Sequence, residues 1–185
     1  MIWIAVFIVT IFFGIQVFSL VSILQHTDKK IAKRKEYPKV SILLAARNEE
    51  ALIIRNLTAI EALNYPKDKL EVLIGNDDST DNTAELVTNF IKDKPQFALF
   101  YIDKTVGKGR GKANVLGQLA HKATGEFYFI TDVDVKLPEN WIVALLQEFT
   151  DGVGLVSGTT KCERGGLFAT LQSIDWLHFM GYIKA

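Results

Sequence analysis

The stretch FYFITDVDVKLP, Phe127 to Pro138, sets four strand-forming residues ahead of two carboxylates separated by one valine. Phe127, Tyr128, Phe129 and Ile130 read as a buried strand. Asp132 and Asp134 fall where that strand emerges into solvent. In extended backbone, residues i and i+2 point the same way, so both carboxylates face one spot. Two negative charges held together call for a cation, and an all-oxygen pair suits a hard one such as Mg2+ or Mn2+. Three-residue D-x-D patterns are common by chance, so the pair gains meaning only from what surrounds it.

Upstream, the chain alternates strand and helix patterns. KVSILLAA (Lys39 to Ala46) is a nearly continuous apolar run, as expected of a strand covered on both faces. EEALIIRNLTAIEALN comes next with a helical apolar face of Leu52, Leu57, Ile60 and Leu63, and Asn48 is placed to cap it. LEVLIG is a second strand, TAELVTNFIKD a helix, FALFYI a third strand and GKANVLGQLAHKA a helix. The Phe127 strand is the fourth. ENWIVALLQEF then reads as a helix and VGLVSGTT as a fifth strand. This alternation predicts an α/β, Rossmann-like, mostly parallel sheet with helices on both faces and right-handed crossovers.

Ligands of such sheets bind beyond the carboxyl ends of the strands. Here those ends are all polar: AARNEE, NDDSTDNT, DKTVGKGRGK and TDVDV. The glycine-rich loop is not a P-loop, because Val106 stands where the first glycine is required and Ala113 where Ser or Thr is required. Gly107, Gly109 and Gly111 also miss the G-x-G-x-x-G dinucleotide spacing. What remains is a basic loop entering a helix, with Lys108, Arg110 and Lys112 available to phosphate oxygens. In NDDSTDNT, Asp77 is suited to a base imide or ribose hydroxyl. Ser79, Thr80 and Asp81 are suited to starting the next helix.

Composition bounds the rest. Twenty-one basic and twenty-one acidic residues leave no net charge, which implies no nucleic-acid partner. The lone Cys162 excludes an internal disulfide framework, and His26, His121 and His178 form no metal-binding pattern. Residues 1–25 contain no charged side chain, exceeding the roughly 20 apolar residues that cross a bilayer as a helix. Five basic residues lie between Asp28 and Glu36, which predicts a permanent anchor with that side cytoplasmic. The expected organisation is therefore a transmembrane helix over 1–25, a basic linker over 26–38 and an α/β core over 39–160. Residues 161–185 read as an amphipathic helical segment. There Leu167, Leu171, Ile174 and Leu177 share one side, with Trp176, Phe179 and Tyr182 nearby.

Taken in order, VSILLAARNEE, IGNDDSTDNT, GKGRGKANVLGQLAHKATGEF and FITDVDV resemble the family 2 glycosyltransferases, whose nucleotide-binding domain is of the GT-A type. The resemblance covers Val40 to about Thr160, and implies that residues 39–160 are a nucleotide-sugar-binding core and that residues 161–185 open an acceptor-side region. It implies that Ala45, Arg47 and Glu49 border the nucleotide, that Asp77 meets uracil or its equivalent, and that Lys112 lies near the sugar-diphosphate. Asp132 would contact ribose or metal, and Asp134 would ligate Mg2+ or Mn2+. The implied reaction is metal-dependent inverting transfer from a nucleoside-diphosphate sugar, a UDP-sugar foremost, to a saccharide or lipid-linked acceptor at the cytoplasmic membrane, in glycan or glycolipid synthesis. The catalytic base of relatives is expected beyond Ala185, and neither Glu148 nor Glu163 takes its place by position alone. Asn76, Asp78 and Ala45 depart from the family pattern, the first two at the base-binding stretch. Two other readings remain open: a membrane-anchored nucleotide-sugar-binding module without catalysis, and a nucleotidylyltransferase. The absence of glycine from AARNEE argues against the latter.

Overall fold

The computed structural model describes residues 2–24, 36–106, 109–158, 160, 165–166, 168–173 and 176. The chain divides into two compact units, Lys33–Glu148 and a second made of Met1–Ala32 with Phe149–Ala185.

The first unit is built on four parallel strands: β1 (Val40–Ala46), β2 (Leu70–Asn76), β3 (Phe97–Tyr101) and β4 (Phe127–Thr131). Their order across the sheet is β3-β2-β1-β4. Pairing runs Val40↔Leu70 to Ala46↔Asn76, Val72↔Phe97 to Asn76↔Tyr101, and Val40↔Phe127 to Leu44↔Thr131. The crossovers are α2 (Ile53–Glu61), α3 (Thr83–Ile91) and α4 (Lys112–Ala120), and α5 (Trp141–Leu146) comes after β4. Right-handed crossovers fix where these helices lie. The steps β1 to β2 and β2 to β3 move the same way, so α2 and α3 share one face. The step β3 to β4 returns past β1, so α4 takes the other face.

Burial results from that winding. β1 is covered on both faces, with Val40, Ile42, Leu43 and Leu44 at most 1% exposed, hence its unbroken apolar run. On the α4 face, Leu43 and Leu73 pack with Val115 and Leu119. The approach there is close: a Cβ on Gly75 would collide with Val115 Cγ1, so only glycine lets α4 settle onto β2. The apolar stripe of α2 is Ile53, Leu57 and Ile60, all fully buried. The fourth strand differs from expectation. β4 is an edge, so Phe129 is buried while Tyr128 and Ile130 are 50% and 54% exposed. Phe129 stacks edge-on against Trp141 of α5 at 5.2 Å.

At the amino ends of the strands, Glu71 closes a polar buckle. Its carboxylate accepts from Ser41 Oγ, from the Thr124 N–H (2.5 Å) and hydroxyl (2.9 Å), and from the Gly125 N–H (3.2 Å), with Lys39 at 3.9 Å. Adjacent strands and the turn entering β4 are thereby tied to one side chain.

In the second unit, α1 (Ile2–Leu24) is a 23-residue helix whose described side chains are apolar on every side, Trp3, Phe7, Phe12, Phe13 and Phe18 being exposed. Thr10 returns its hydroxyl to the Val6 carbonyl at 2.8 Å. The side chains of residues 5, 19, 20 and 22–24 are outside the description. The fully described side chains of α1 run unbroken only over residues 6–18, and among the fully described residues no helix is long and apolar enough to cross a membrane. The expected fifth strand is absent: residues 153–158 and 160 join no ladder, and Leu155 is 86% exposed. A strand requires a neighbour for its backbone groups, and no described strand lies alongside. Residues 168–173 are helical, with Leu171 exposed. The basic segment 26–35 lies outside the described residues, as do His26, Lys108, Cys162, Glu163, Leu167, Ile174, Leu177, His178, Phe179 and Tyr182.

The buckle makes stability acid-sensitive. Burial alone would raise the Glu71 pKa, but the hydrogen bonds from Ser41 and Thr124 and the Lys39 charge outweigh it and hold the carboxyl below its ordinary 4.5. A lowered folded-state pKa stabilises fully above the unfolded value and is lost as pH falls through the folded one. Glu71→Gln is therefore expected to lower unfolding free energy at pH 7 by about 1–3 kcal/mol. The gap from the parent protein should narrow below pH 4.5, as read by urea denaturation across pH.

Candidate functional site

Because every strand of the sheet is parallel, all four carboxyl ends open on one edge. The winding reverses between β1 and β4, and the loops leaving those two strands diverge to opposite faces. That divergence makes the crevice used by ligands in doubly wound sheets.

The β1–α2 and β2–α3 loops are clasped together over this edge. The N–H groups of Asn48, Glu49 and Glu50 donate to Ser79 Oγ (3.1 Å), Thr83 Oγ1 (2.8 Å) and Asp81 Oδ2 (3.1 Å). In return, the Thr80 N–H donates to Asn48 Oδ1 at 2.8 Å, and the N–H and amide of Asn82 donate to Glu50 Oε2 at 3.1 and 3.0 Å. Asn48 and Asp78 adopt positive φ of 55° and 57° to make the turns, a region Asn and Asp tolerate better than most residues. One capping expectation is thereby corrected. Asn48 does not cap α2, whose N-cap is Leu52 without a side-chain bond, because its amide serves Thr80. Asp81 does help to start α3, accepting from the Thr83 N–H (3.0 Å) and hydroxyl (2.6 Å) at the first helical residue, although the N-cap position itself is Asn82.

Asp77, 9% exposed, receives its neighbour's charge from Arg47, whose Nη1 lies 3.8 Å from Asp77 Oδ2. Beside it, Lys104 Nζ pairs with Asp78 at 2.5 Å, and that hydrogen bond holds the Asp78 carboxyl below its ordinary range. Between the ends of β2 and β3 opens a cleft of about 410 Å³ lined by Asn76, Asp78, Ser79, Tyr101, Asp103 and Lys104.

At the other end of the edge is the aspartate turn. Val133 is buried (2%) and pins the turn, leaving Asp132 and Asp134 on the outside to either side of it. Past Thr131 the backbone turns, the Val135 N–H donating to the Asp132 carbonyl at 3.4 Å, so a turn and not strand alternation places the two carboxylates. Lys112 forms an ion pair with Asp132. Lys112 opens α4, and no acidic residue stands in that first turn. A lysine at a helix N-terminus opposes the macrodipole, which favours anions there. Gly111, at φ 54°, makes the entry. Glu49 completes the cluster. Burial foremost, then the negative charges of Asp134, Asp81 and Asp132, raise its pKa above the ordinary 4.5.

The sequence-derived residues therefore converge in part. Arg47 meets Asp77, Lys112 meets Asp132, and Glu49 lies within the field of Asp132 and Asp134. Ala45 does not join them, since its side chain packs against the Leu43–Leu73–Val115–Leu119 core. Arg110 is exposed on the approach to α4, and His121 is the exposed C-cap of that helix. Two residues were missed. Arg55 Nη2 donates to the Asp134 carbonyl at 3.0 Å, and Asn56 Nδ2 donates to the carbonyls of Asp132 (3.2 Å) and Val135 (3.1 Å). The available signal was Asn56 itself, a polar residue standing one position before Leu57 in the buried stripe of α2.

Among the described residues, no three His, Cys, Asp or Glu side chains converge tightly enough to hold a metal ion unaided. The donor set nevertheless fits a hard cation: its side chains offer only carboxylate oxygens, and an ammonium already sits on one of them. Mg2+ in particular is held by one or two carboxylates together with substrate phosphates.

The chain is 38% identical over 112 residues to "Probable glycosyltransferase YdaM" of Bacillus subtilis, covering 60% of this chain and 26% of that protein. It is 28% identical over 156 residues to the poly-beta-1,6-N-acetyl-D-glucosamine synthase of Staphylococcus epidermidis, covering 83% of this chain and 36% of the synthase. The chain thus spans about a quarter to a third of the length of these curated relatives. Its fold matches the mannosyltransferase PcManGT from Pyrobaculum calidifontis, solved in complex with GDP-Man and Mn2+, with a TM-score of 0.65. The identity is 29%, over 80% of this chain and 44% of that one. The family model for glycosyl transferase family 2 matches residues 41–184, taking in the parallel sheet and its polar edge, and the chain belongs to that family.

Proposed function

We propose that this chain carries the donor site of a glycosyltransferase that moves a sugar from a nucleoside diphosphate, a UDP-sugar foremost, to a saccharide or lipid-linked acceptor hydroxyl. One observation carries the reading: at the winding reversal, Lys112 pairs with Asp132 while Asp134 stands exposed in the same turn, so an ammonium and two carboxylates share one edge of the sheet. A site of that charge pattern has a place for a cation and, once its lysine is released, a place for a phosphate. The GDP-Man and Mn2+ bound by PcManGT support the same division.

The roles we assign follow position along the edge. Asp134 and Asp132 would hold Mg2+ or Mn2+, which supplies positive charge against the charge the departing diphosphate develops. Lys112 turns from Asp132 to the diphosphate, where the N-terminus of α4 adds its own preference for anions. Asp77, oriented by Arg47, is placed for the base or ribose, beside the cleft between β2 and β3. Three strand intervals of roughly 4.8 Å separate β4 from β3, giving an edge of about 14 Å along which an extended ligand can lie. Glu49 and Arg47 line the middle of that edge.

We also infer that α1 anchors the protein in the membrane. At about 1.5 Å per residue its 23 residues extend to roughly 35 Å, against about 30 Å of hydrocarbon. The five basic residues after it favour the cytoplasmic side for the α/β unit.

Calorimetric titration with UDP and GDP, with and without Mn2+, tests the site and identifies the base. Binding should strengthen with Mn2+, and Asp134→Ala should cut that metal-dependent gain by about tenfold or more. No Mn2+-dependent binding of either nucleotide by the parent chain would remove the donor-site assignment. Lys112→Met should weaken nucleoside diphosphate binding by roughly tenfold. The same change should leave Mn2+ alone bound no more weakly, since an exposed pair with Asp132 contributes at most about 1 kcal/mol. For the anchor, the chain should stay with membranes through an alkaline carbonate wash, and deletion of residues 1–25 should release it.

A further inference from the structure

We propose that α2 is the positioning element of the aspartate turn, acting through Asn56 and Arg55, and so sets the affinity of the site for its divalent cation. This rests on the donor-site reading above and adds to it a pair of residues that touch neither nucleotide nor ion.

The turn leaves β4 at Thr131, so past that residue no strand ladder holds Asp132, Val133 or Asp134. Its backbone is held instead from α2. Asn56 is 1% exposed and directs both hydrogens of its amide at the turn, to the carbonyls of Asp132 and Val135. Arg55, next in the helix and exposed, donates to the carbonyl between them, that of Asp134. Two consecutive residues of one helix thus engage three of the four carbonyls from Asp132 to Val135. Val133 fixes the turn from within, being buried to 2%.

The orientation of the amide is determined. Reversing it would aim its oxygen at two carbonyl oxygens, and Asn56 Oδ1 has no partner where it now lies, buried. An apolar residue would avoid that unsatisfied acceptor, and the rest of the stripe is apolar (Ile53, Leu57, Ile60). What asparagine supplies here is two donors at one point.

The helix also begins at the nucleotide end of the site. Its preceding loop, Asn48 to Glu50, is clasped to Ser79, Asp81 and Thr83. One rigid path therefore runs from the β2–α3 loop, through α2, to the carboxylates. Groups that orient metal ligands without touching the metal typically govern affinity by about 10- to 100-fold.

The test is Mn2+ binding by the whole chain, read as loss of the free-ion electron paramagnetic resonance signal in the presence of UDP or GDP, whichever binds. Asn56→Leu, similar in volume but without donors, should weaken Mn2+ binding by about 10- to 100-fold while leaving metal-free nucleotide binding unchanged. Arg55→Ala covers the case in which the buried variant fails to fold, because Arg55 is exposed. It should weaken Mn2+ binding roughly 2- to 12-fold, as expected for one lost hydrogen bond. Arg55→Lys, which keeps a donor and the charge, should recover part of the loss. The sign is decisive for Arg55: removing a positive charge beside the carboxylates would by field alone tighten the cation. Parent-like or tighter Mn2+ binding in Arg55→Ala, or parent-like binding in a folded Asn56→Leu, overturns the positioning role. Absence of Mn2+-dependent binding in the parent chain overturns the donor site instead, and the two failures are thereby separable.

Discussion

Each loop of the polar edge takes its place from the pairing of β1 with β2 on one side and β4 on the other. β1 is the strand that both winding directions share. It is covered on both faces, so its position is set by apolar packing over its whole length. From that fixed strand the chain goes one way through α2 and α3 and the other way through α4. The gap between the two departures holds the aspartate turn and Lys112. Had β4 paired beyond β3, Asp132 and Arg47 would stand at opposite ends of the sheet.

The electrostatics of the edge depend on this geometry in a graded way. Toward β3 the charges are paired across loops: Arg47 with Asp77 and Lys104 with Asp78. Toward β4 the carboxylates outnumber the lysine, and Glu49, whose pKa burial foremost raises, is pushed further up by Asp134, Asp81 and Asp132. The lysine itself opens a helix, where the dipole disfavours it. Exposed ion pairs of this kind contribute little stability. The cluster is therefore better suited to exchanging its partners for a ligand than to holding the fold together.

How much of this could be read from residues alone varied with the physics involved. Strands β1 to β4 and helices α2 to α5 were visible because apolar runs and stripes report burial directly. Their parallel arrangement came from the alternation. The convergence of Glu49, Lys112, Asp132 and Asp134 at one edge was legible because parallel strands all end on the same side. The exposed face of β4 was not, since Tyr128 and Ile130 are strand formers whether or not anything covers them. The run from Val153 to Thr160 has strand composition but no described neighbour to pair with. Capping by Asn48 failed because a competing loop bonds its amide, a tertiary effect with no local signature. Asn56 left a trace as a polar break in an apolar stripe, yet its partners lie some 80 residues downstream.

The missing side chain at position 75 has a reach beyond packing. With nothing there but hydrogen, α4 rests directly on β2, and the height of that contact fixes how far the helix carries its first residue toward the aspartates. Interior fit and surface charge are in this sense a single mechanical variable. A methyl group added deep inside the protein, with every polar atom left intact, would register at the rim as an altered distance between opposite charges.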